Sequence, residues 1–570
     1  MRFLKSYRGA FAAFNFCLLA GISVYAAKNA PQAGLFQEPL SREQKIEHAI
    51  NRLTFGPRPG DAQQVRSMGL KKWITLQLHP ERIPENPQLE AKLAPLDSLH
   101  MTTEEMVENY PSPGLVKAML SGRLALPEDP DKRMMVDRLA ARIQGKKGDD
   151  KYGKAEAPSH DLAALLPPEQ LRVLRWGTPQ QKLELFSSFP ASRQDQVLES
   201  IGPRLRMQLY AAAPPDLRRR IESASGPLAV VAQDLIAAKL LRAVYSSRQL
   251  QEVLVDFWYN HFNVFIEKGA DRYLVTAYER DAIRPHVLGK FEDLLRATAQ
   301  SPAMLFYLDN WQSAGADSTA GRFRQRGLNE NYGRELLELH TLGVDGGYTQ
   351  KDVTEVARCF TGWTIRQPQL AAEFEFNPRM HDQGEKNVLG VRIPAGGGID
   401  DGYQVLHLLA HHPSTAHHIA RELAVRFVAD DPPEALVDRM AATFLNQDGD
   451  LRAVLETMFD SPEFWSGGAY RSKIKSPFEV VASSLRAVNA EVDFTFGLNK
   501  ELVQLGEPLY RKAEPTGYSN TGQDWLNSAG LLARMNFSVA LVNNRVPGVK
   551  VAGDAAAQGV TLGSPEFQKK

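Results

Sequence analysis

Three stretches of the chain hold side chains that could move protons or bind a cation. Residues 251–265, QEVLVDFWYNHFNVF, are apolar on almost every side and predict a buried helix. Helical spacing places Asp256, Asn260 and Asn263 on one stripe, and His261 on the face of Phe257 and Phe265. Residues 329–342 predict a second helix, with Asn331, Glu335 and Glu338 on one stripe and Tyr332, Leu336 and Leu339 on the apolar side. A buried polar group without a partner costs about 1–3 kcal/mol, so two polar stripes in apolar helices point to a shared network. That network is either an oxygen-rich pocket, holding a hard cation or a substrate with Glu335 or His261 as proton carrier, or a scaffold in which Arg334, Arg358 or Arg284 neutralises the acids. Glu338 and His340 lie two residues apart, on opposite sides of a regular helix, and are not expected to share a metal.

The third stretch is His381-Asp382, followed by Gln383-Gly384-Glu385-Lys386. On an exposed loop the two side chains could be aimed at a cleft; equally, the aspartate could form a turn beside an incidental histidine. The candidate catalytic residues are therefore His261, Glu335, His381 and Asp382. Asp256, Asn260, Asn331, Glu338 and Trp363 are candidates for substrate contact or for the network. His407, His411, His412, His417 and His418 crowd one segment, and His407 and His411 have the i, i+4 spacing of a metal-binding helix face. Leu408 stands where the zinc-protease pattern needs glutamate, and no acid is built into the spacing, so surface histidines are expected. No serine nucleophile elbow, phosphate-binding Gly-Lys-Ser/Thr loop or paired-cysteine metal site occurs, which leaves the identity of any metal or cofactor open.

The elements that must position these groups are helical. Ser41 and Gln44 have capping-box spacing, and residues 51–78 predict two short helices around a Gly/Pro turn. Between Pro167 and Pro215, prolines recur about every 12 residues, each before an apolar helical pattern, as expected where a missing N–H does no harm. Helical patterns then run from Leu228 to Trp363 and from Tyr403 to Asn544. They are interrupted by strand signals at 374–376 and 388–393 that predict a small hairpin. Thr349 and Asp352 account for the glycine-rich turn at 343–349 as a helix start without any ligand. The expected fold is mainly α and multi-helical, with one small β-hairpin insertion. Its parts are an export signal (1–27), an N-terminal helical part (28–144), a short-helix repeat insertion (145–227) that opens with a surface loop, a central helical core (228–365), the hairpin and loop (366–400), a C-terminal helical part (401–545) and a flexible tail (546–570).

At 570 residues the chain exceeds what one core usually sustains. Its 67 basic and 67 acidic residues cancel, which argues against a nucleic-acid surface. Arg2, Lys5 and Arg8 precede the apolar stretch 11–25, and Ala26 and Ala27 follow, the order of a cleavable export signal; no stable membrane span is expected after cleavage. Of two cysteines, cleavage would remove Cys17, so a disulfide framework is excluded and Cys359 is expected to be a buried, inert thiol.

Several motifs, in order, resemble one bacterial family, domain of unknown function 1800. They are Phe55-Gly56-Pro57 with Trp73 and Gln77-Leu78, the run 257–262 (FWYNHF), the run 329–343 (NENYGRELLELHTLG), Tyr348-Thr349-Gln350 through Thr361-Gly362-Trp363, and His381-Asp382 with Lys386 and Leu389-Gly390. The likeness spans roughly residues 45–545. It implies a large exported bacterial protein and, as a partner, an exported protein of the domain of unknown function 1501 family, itself similar to alkaline phosphatases and sulfatases. It carries over no catalytic residue. The expected function is an exported cell-envelope accessory or binding protein acting with a partner protein; the alternative is a periplasmic or secreted hydrolase, metal-dependent or not, acting on an extracellular polymer or ester.

Overall fold

The computed structural model describes residues 34–149, 162–324, 327–553, 559 and 561–570; the export signal expected at 1–27 lies outside them. The described chain is mainly α-helical, with three two-stranded antiparallel sheets. Among the described residues no helix is long and apolar enough to cross a membrane.

Helix starts follow local chemistry. Ser41 and Gln44 cap the Arg42–Leu53 helix reciprocally, and Thr349 and Asp352 do the same for Gln350–Cys359. In the repeat region, Pro168, Pro179, Pro203 and Pro215 open helices in their first turn, and Pro190 precedes another. These short helices enclose their own apolar cluster, including Leu174, Phe186, Leu198, Leu209 and Ile221. The surface loop expected from Gly145 begins later, because the Pro130–Asp149 helix continues through that glycine; the rest of it, 150–161, lies outside the described residues.

The main core is built around the apolar Pro227–Tyr245 and Gln249–His261 helices, and its apolar cluster reaches from Ile46 to Leu562. Gly333 lets the Asn331–Glu335 helix approach Gln350–Cys359 closely, since a Cβ there would stand 2.9 Å from the Val353 carbonyl oxygen.

The single hairpin expected at 366–400 is two hairpins. β1 (Trp363–Arg366) pairs with β2 (Glu373–Phe376), and β3 (Lys386–Val388) pairs with β4 (Val391–Ile393). The apolar run 388–393 is broken because Leu389 and Gly390 both take positive φ, 51° and 81°, the backbone of a two-residue hairpin turn. Trp363 therefore begins a strand rather than ending a helix, which stops at Cys359. β5 (Glu491–Val492) and β6 (Val549–Lys550) form the third pair. The end of the chain, expected as a loose tail, is tethered: Lys473 and Lys570 exchange backbone hydrogen bonds, and the Lys570 side chain is buried.

Candidate functional site

The polar stripe of Gln249–His261 meets a loop rather than the second helix. Asn260 donates to the Tyr518 carbonyl at 2.7 Å and accepts from the Tyr518 N–H at 2.6 Å, acting as a strand edge for that residue. Asn263 donates to the carbonyls of Lys512 and Glu514 at 3.0 and 2.9 Å. Gly517 is required in this clamp: its φ is +67° and a Cβ would stand 2.3 Å from the Asn260 carbonyl oxygen.

Asp256 opens a chain of half-buried and buried charges. Lys239 Nζ lies 2.8 Å from its Oδ1, and Arg426 Nη2 lies 3.4 Å from its Oδ2. Arg426 continues to Glu479 at 2.9 Å, and Glu479 also pairs with Lys570. These cations hold the Glu479 carboxyl below the usual range against the burial that would raise it. Beside the chain, burial and the charge of Asp256 push Glu507 up to about 7, although its carboxylate accepts from the Phe478 N–H at 2.7 Å. Lys239, Asp256, Asn260, Arg426 and Glu507 line a cavity of ≈ 40 Å³, room for about three waters.

The second helix changes type where its chemistry lies. After Asn331–Glu335 the backbone runs as a π-helix over Leu336–Thr341, so Asn331 and Glu335 keep their regular-helix spacing while Glu338 falls in the wider turn. Asn331 is exposed at the first turn, and Glu338 accepts from the Tyr348 hydroxyl at 3.3 Å. Burial, helped by the charge of Glu338, raises the Glu335 carboxyl, with Arg334 opposing. Asp256 thus finds its counter-ions in Lys239 and Arg426, not in a shared network with Glu335.

The imidazoles near this turn act on its free carbonyls. His261 Nε2 lies 3.2 Å from the His340 carbonyl oxygen, and His418 Nε2 lies 3.4 Å from that of Leu339. Helix ends leave such acceptors unmet, and here two side chains meet them. Burial, then His418 and His340, hold His261 well below its ordinary value, and burial alone brings His340 down to about 3. His261 is a neutral capping donor in this arrangement.

His381 and Asp382 part company. His381 is 1% exposed, not on an exposed loop: its Nδ1 lies 2.8 Å from the Thr361 carbonyl oxygen and its Nε2 3.1 Å from Asp401 Oδ2. Lys386, also 1% exposed, reaches the same Asp401 oxygen at 2.5 Å and donates to the Asp382 carbonyl. Asp382 turns the other way onto Arg358, 2.9 Å from its Nε, and that guanidinium holds the Asp382 carboxyl low against burial. Trp363 is fully buried between Phe360, Phe374 and Tyr403, and a Cβ at Gly402 would stand 2.5 Å from its ring. It is a core residue. Cys359 is fully buried and its thiol is pushed up to about 12 by burial, as an inert thiol should be.

Sequence patterns left Lys239, Arg426, Glu479 and Glu507 unnoticed. The signals for them were weak: Lys239 is one of three charged residues in the apolar helix PLAVVAQDLIAAKLLRAVY, and Glu479 stands three residues after Ser476, a spacing that reads as a capping box. A larger cavity, ≈ 210 Å³, lies where the repeat helices meet the core; Leu96, Tyr210, Arg218, Ile236, Phe494 and Phe496 help to line it. Two further lining residues, Gln233 and Asn499, have buried side-chain oxygens without a hydrogen-bond partner.

The family described as Protein of unknown function (DUF1800) matches residues 48–568, nearly the whole chain, and the chain belongs to it. Comparison with curated proteins and with solved structures finds no match.

Proposed function

We propose that the protein is an exported cell-envelope accessory or binding protein that works with a partner protein. What supports this over catalysis is the way the acid–base groups other than Glu335 are engaged. Asp256 has two cationic partners, His381 and Lys386 close on Asp401 in the interior, and His261 caps a helix end. An enzyme needs such groups convergent on an open cleft. Two helices that pack together instead expose apolar side chains: Phe496 and Val503 on Phe496–Leu505, and Leu531, Leu532, Met535 and Val539 on Ser528–Val542. Residues at 531, 535 and 539 recur every four positions, so they stack on one helix face, the pattern that a partner's apolar face covers.

The test is photo-crosslinking in cells with a photoreactive residue at Leu532 or Met535, and at the exposed Trp176 of the repeat region as control. One discrete adduct with an exported protein, formed from 532 and 535 but not from 176, is expected. No adduct, together with hydrolytic turnover by the purified chain, would overturn the reading.

A second reading, a periplasmic or secreted hydrolase, is favoured by one feature. Glu507, pushed up to about 7 beside Asp256, is poised as a general acid at neutral pH. The ≈ 40 Å³ beside it admits water but not a sugar ring or an ester, so this reading needs the 512–518 loop to open.

A further inference from the structure

The five clustered histidines carry no acid in their own spacing, yet the fold brings acids to three of them, His407, His411 and His417. Glu292, in the first turn of the Phe291–Gln300 helix, faces His407 in the last turn of Ile399–Ala410, and these two helices pack together. His407 Nδ1 lies 3.1 Å from Glu292 Oε2, and His411 Nδ1 lies 3.9 Å from the same oxygen. The two imidazole rings are 4.3 Å apart between centroids.

We propose that Glu292, His407 and His411 form a binding site for a transition-metal dication of the zinc class. Donor atoms around a tetrahedral zinc with bonds of ~2.0–2.1 Å stand about 3.3 Å apart. One carboxylate oxygen at 3.1 and 3.9 Å from two imidazole nitrogens brackets that edge, and one donor atom from each of the three residues falls within 4.8 Å of the others. Two neutral nitrogens and one carboxylate suit zinc, cobalt or nickel better than calcium or magnesium, which prefer oxygen alone.

The surroundings supply what a metal-bound histidine usually needs. The far nitrogen of His411, Nε2, lies 2.7 Å from Asp448 Oδ1, so the aspartate orients the ring and raises its basicity while Nδ1 faces the ion. Asp448 and Glu292 are held in mutual register by the backbone: the Phe291 N–H donates to the Gly449 carbonyl at 2.9 Å and the Leu451 N–H to the Gly289 carbonyl at 3.0 Å. Binding replaces two contacts, that of His411 Nδ1 with the His407 carbonyl oxygen at 2.9 Å and that of His407 Nδ1 with Glu292, and releases the protons they hold to solvent. The carbonyl oxygen sits at the exposed end of the helix, where water replaces the imidazole. Three protein donors leave a fourth position to solvent, open to water or to a donor from another molecule. His417, Glu434 and Asp438 form a second cluster nearby in sequence, but Arg421 already occupies Glu434, which makes that cluster the internal control.

The experiment is a titration of the chelator-stripped full chain with zinc chloride by calorimetry, with cobalt chloride monitored by its visible d–d absorption. One ion per chain with a tetrahedral cobalt spectrum is expected. His407→Ala, His411→Ala and Glu292→Gln should each abolish that spectrum, Asp448→Asn should weaken binding about 10–100-fold, and His417→Ala should change nothing. These positions are exposed or half-exposed, and unchanged unfolding midpoints of the metal-free variants establish that each one folds. No saturable uptake by the parent chain, uptake unchanged in His411→Ala, or loss in His417→Ala alone would each overturn the assignment.

Discussion

His381 and His411 each sit against an aspartate, at 3.1 and 2.7 Å, yet the two pairs have opposite uses. Asp401 is fully buried, and its Oδ2 gathers both Lys386 and His381, whose far nitrogen meets the Thr361 carbonyl, while its Oδ1 has no hydrogen-bond partner. Asp448 is 69% exposed, with Lys290 Nζ 3.5 Å from its other oxygen; solvent screens these charges, and the His411 ring can still be offered to an ion. The same residue pair is structure in one place and available chemistry in the other. Burial decides which, because a desolvated charge must draw its counter-charges from inside the protein, whereas a solvated one is screened.

The largest expected effect breaks the buried pair. Asp401→Asn leaves the Lys386 ammonium without its close counter-ion in a closed interior, with only the Asp382 carboxylate 4.0 Å away, and should cost about 3–5 kcal/mol in urea unfolding. The matched Asp448→Asn should stay within about 0.5 kcal/mol in metal-free protein. If both variants lost stability equally, the contrast between the two sites would be gone.

Glu507 sharpens the comparison from the acid side. Its folded value, about 7, lies above the ordinary 4.5, so between those pH values only the folded state holds the proton. Its contribution therefore favours folding at low pH and is lost as pH rises towards about 7. Glu507→Gln should raise the unfolding midpoint at pH ~8 and leave it nearly unchanged at pH ~4, read by thermal melts at both values.

The loop clamp is of middle size. Asn260→Ala leaves the Tyr518 N–H and carbonyl unmet and should cost about 1–3 kcal/mol. Limited proteolysis should then cut within 512–520 faster than in the parent chain. The smallest effect is at Glu335, whose half-buried carboxyl is raised by burial and by Glu338 without a close cation. Glu335→Gln should change stability by less than about 1 kcal/mol and leave partner crosslinking intact. Loss of a catalysed reaction in this variant at unchanged stability would favour the hydrolase reading.

Much of the fold was legible because helix starts are written locally, in Ser41 with Gln44, Thr349 with Asp352, and the recurring prolines. The turn at Leu389-Gly390 was hidden inside an apolar run that reads equally well as one strand. The π-turn at Leu336–Thr341 was illegible because it depends on which backbone bonds the packed helix adopts, and it redirected Glu338 and His340 from their regular-helix faces. The candidate site was legible only as residue types. Asp256 finds Arg426 170 residues away and His407 finds Glu292 at a separation of 115, distances at which spacing carries no signal. His381 was misplaced for a related reason: its polar neighbours suggest a surface loop, and its buried partners, the Thr361 carbonyl and Asp401, each lie 20 residues away.

The most direct test that the histidine–acid chemistry near His381 is structural is a double-mutant cycle between Lys386→Met and Asp401→Asn, measured by urea unfolding. A closed pair predicts a coupling energy of about 2 kcal/mol or more between the two changes. Changes that add to within about 0.5 kcal/mol would contradict it.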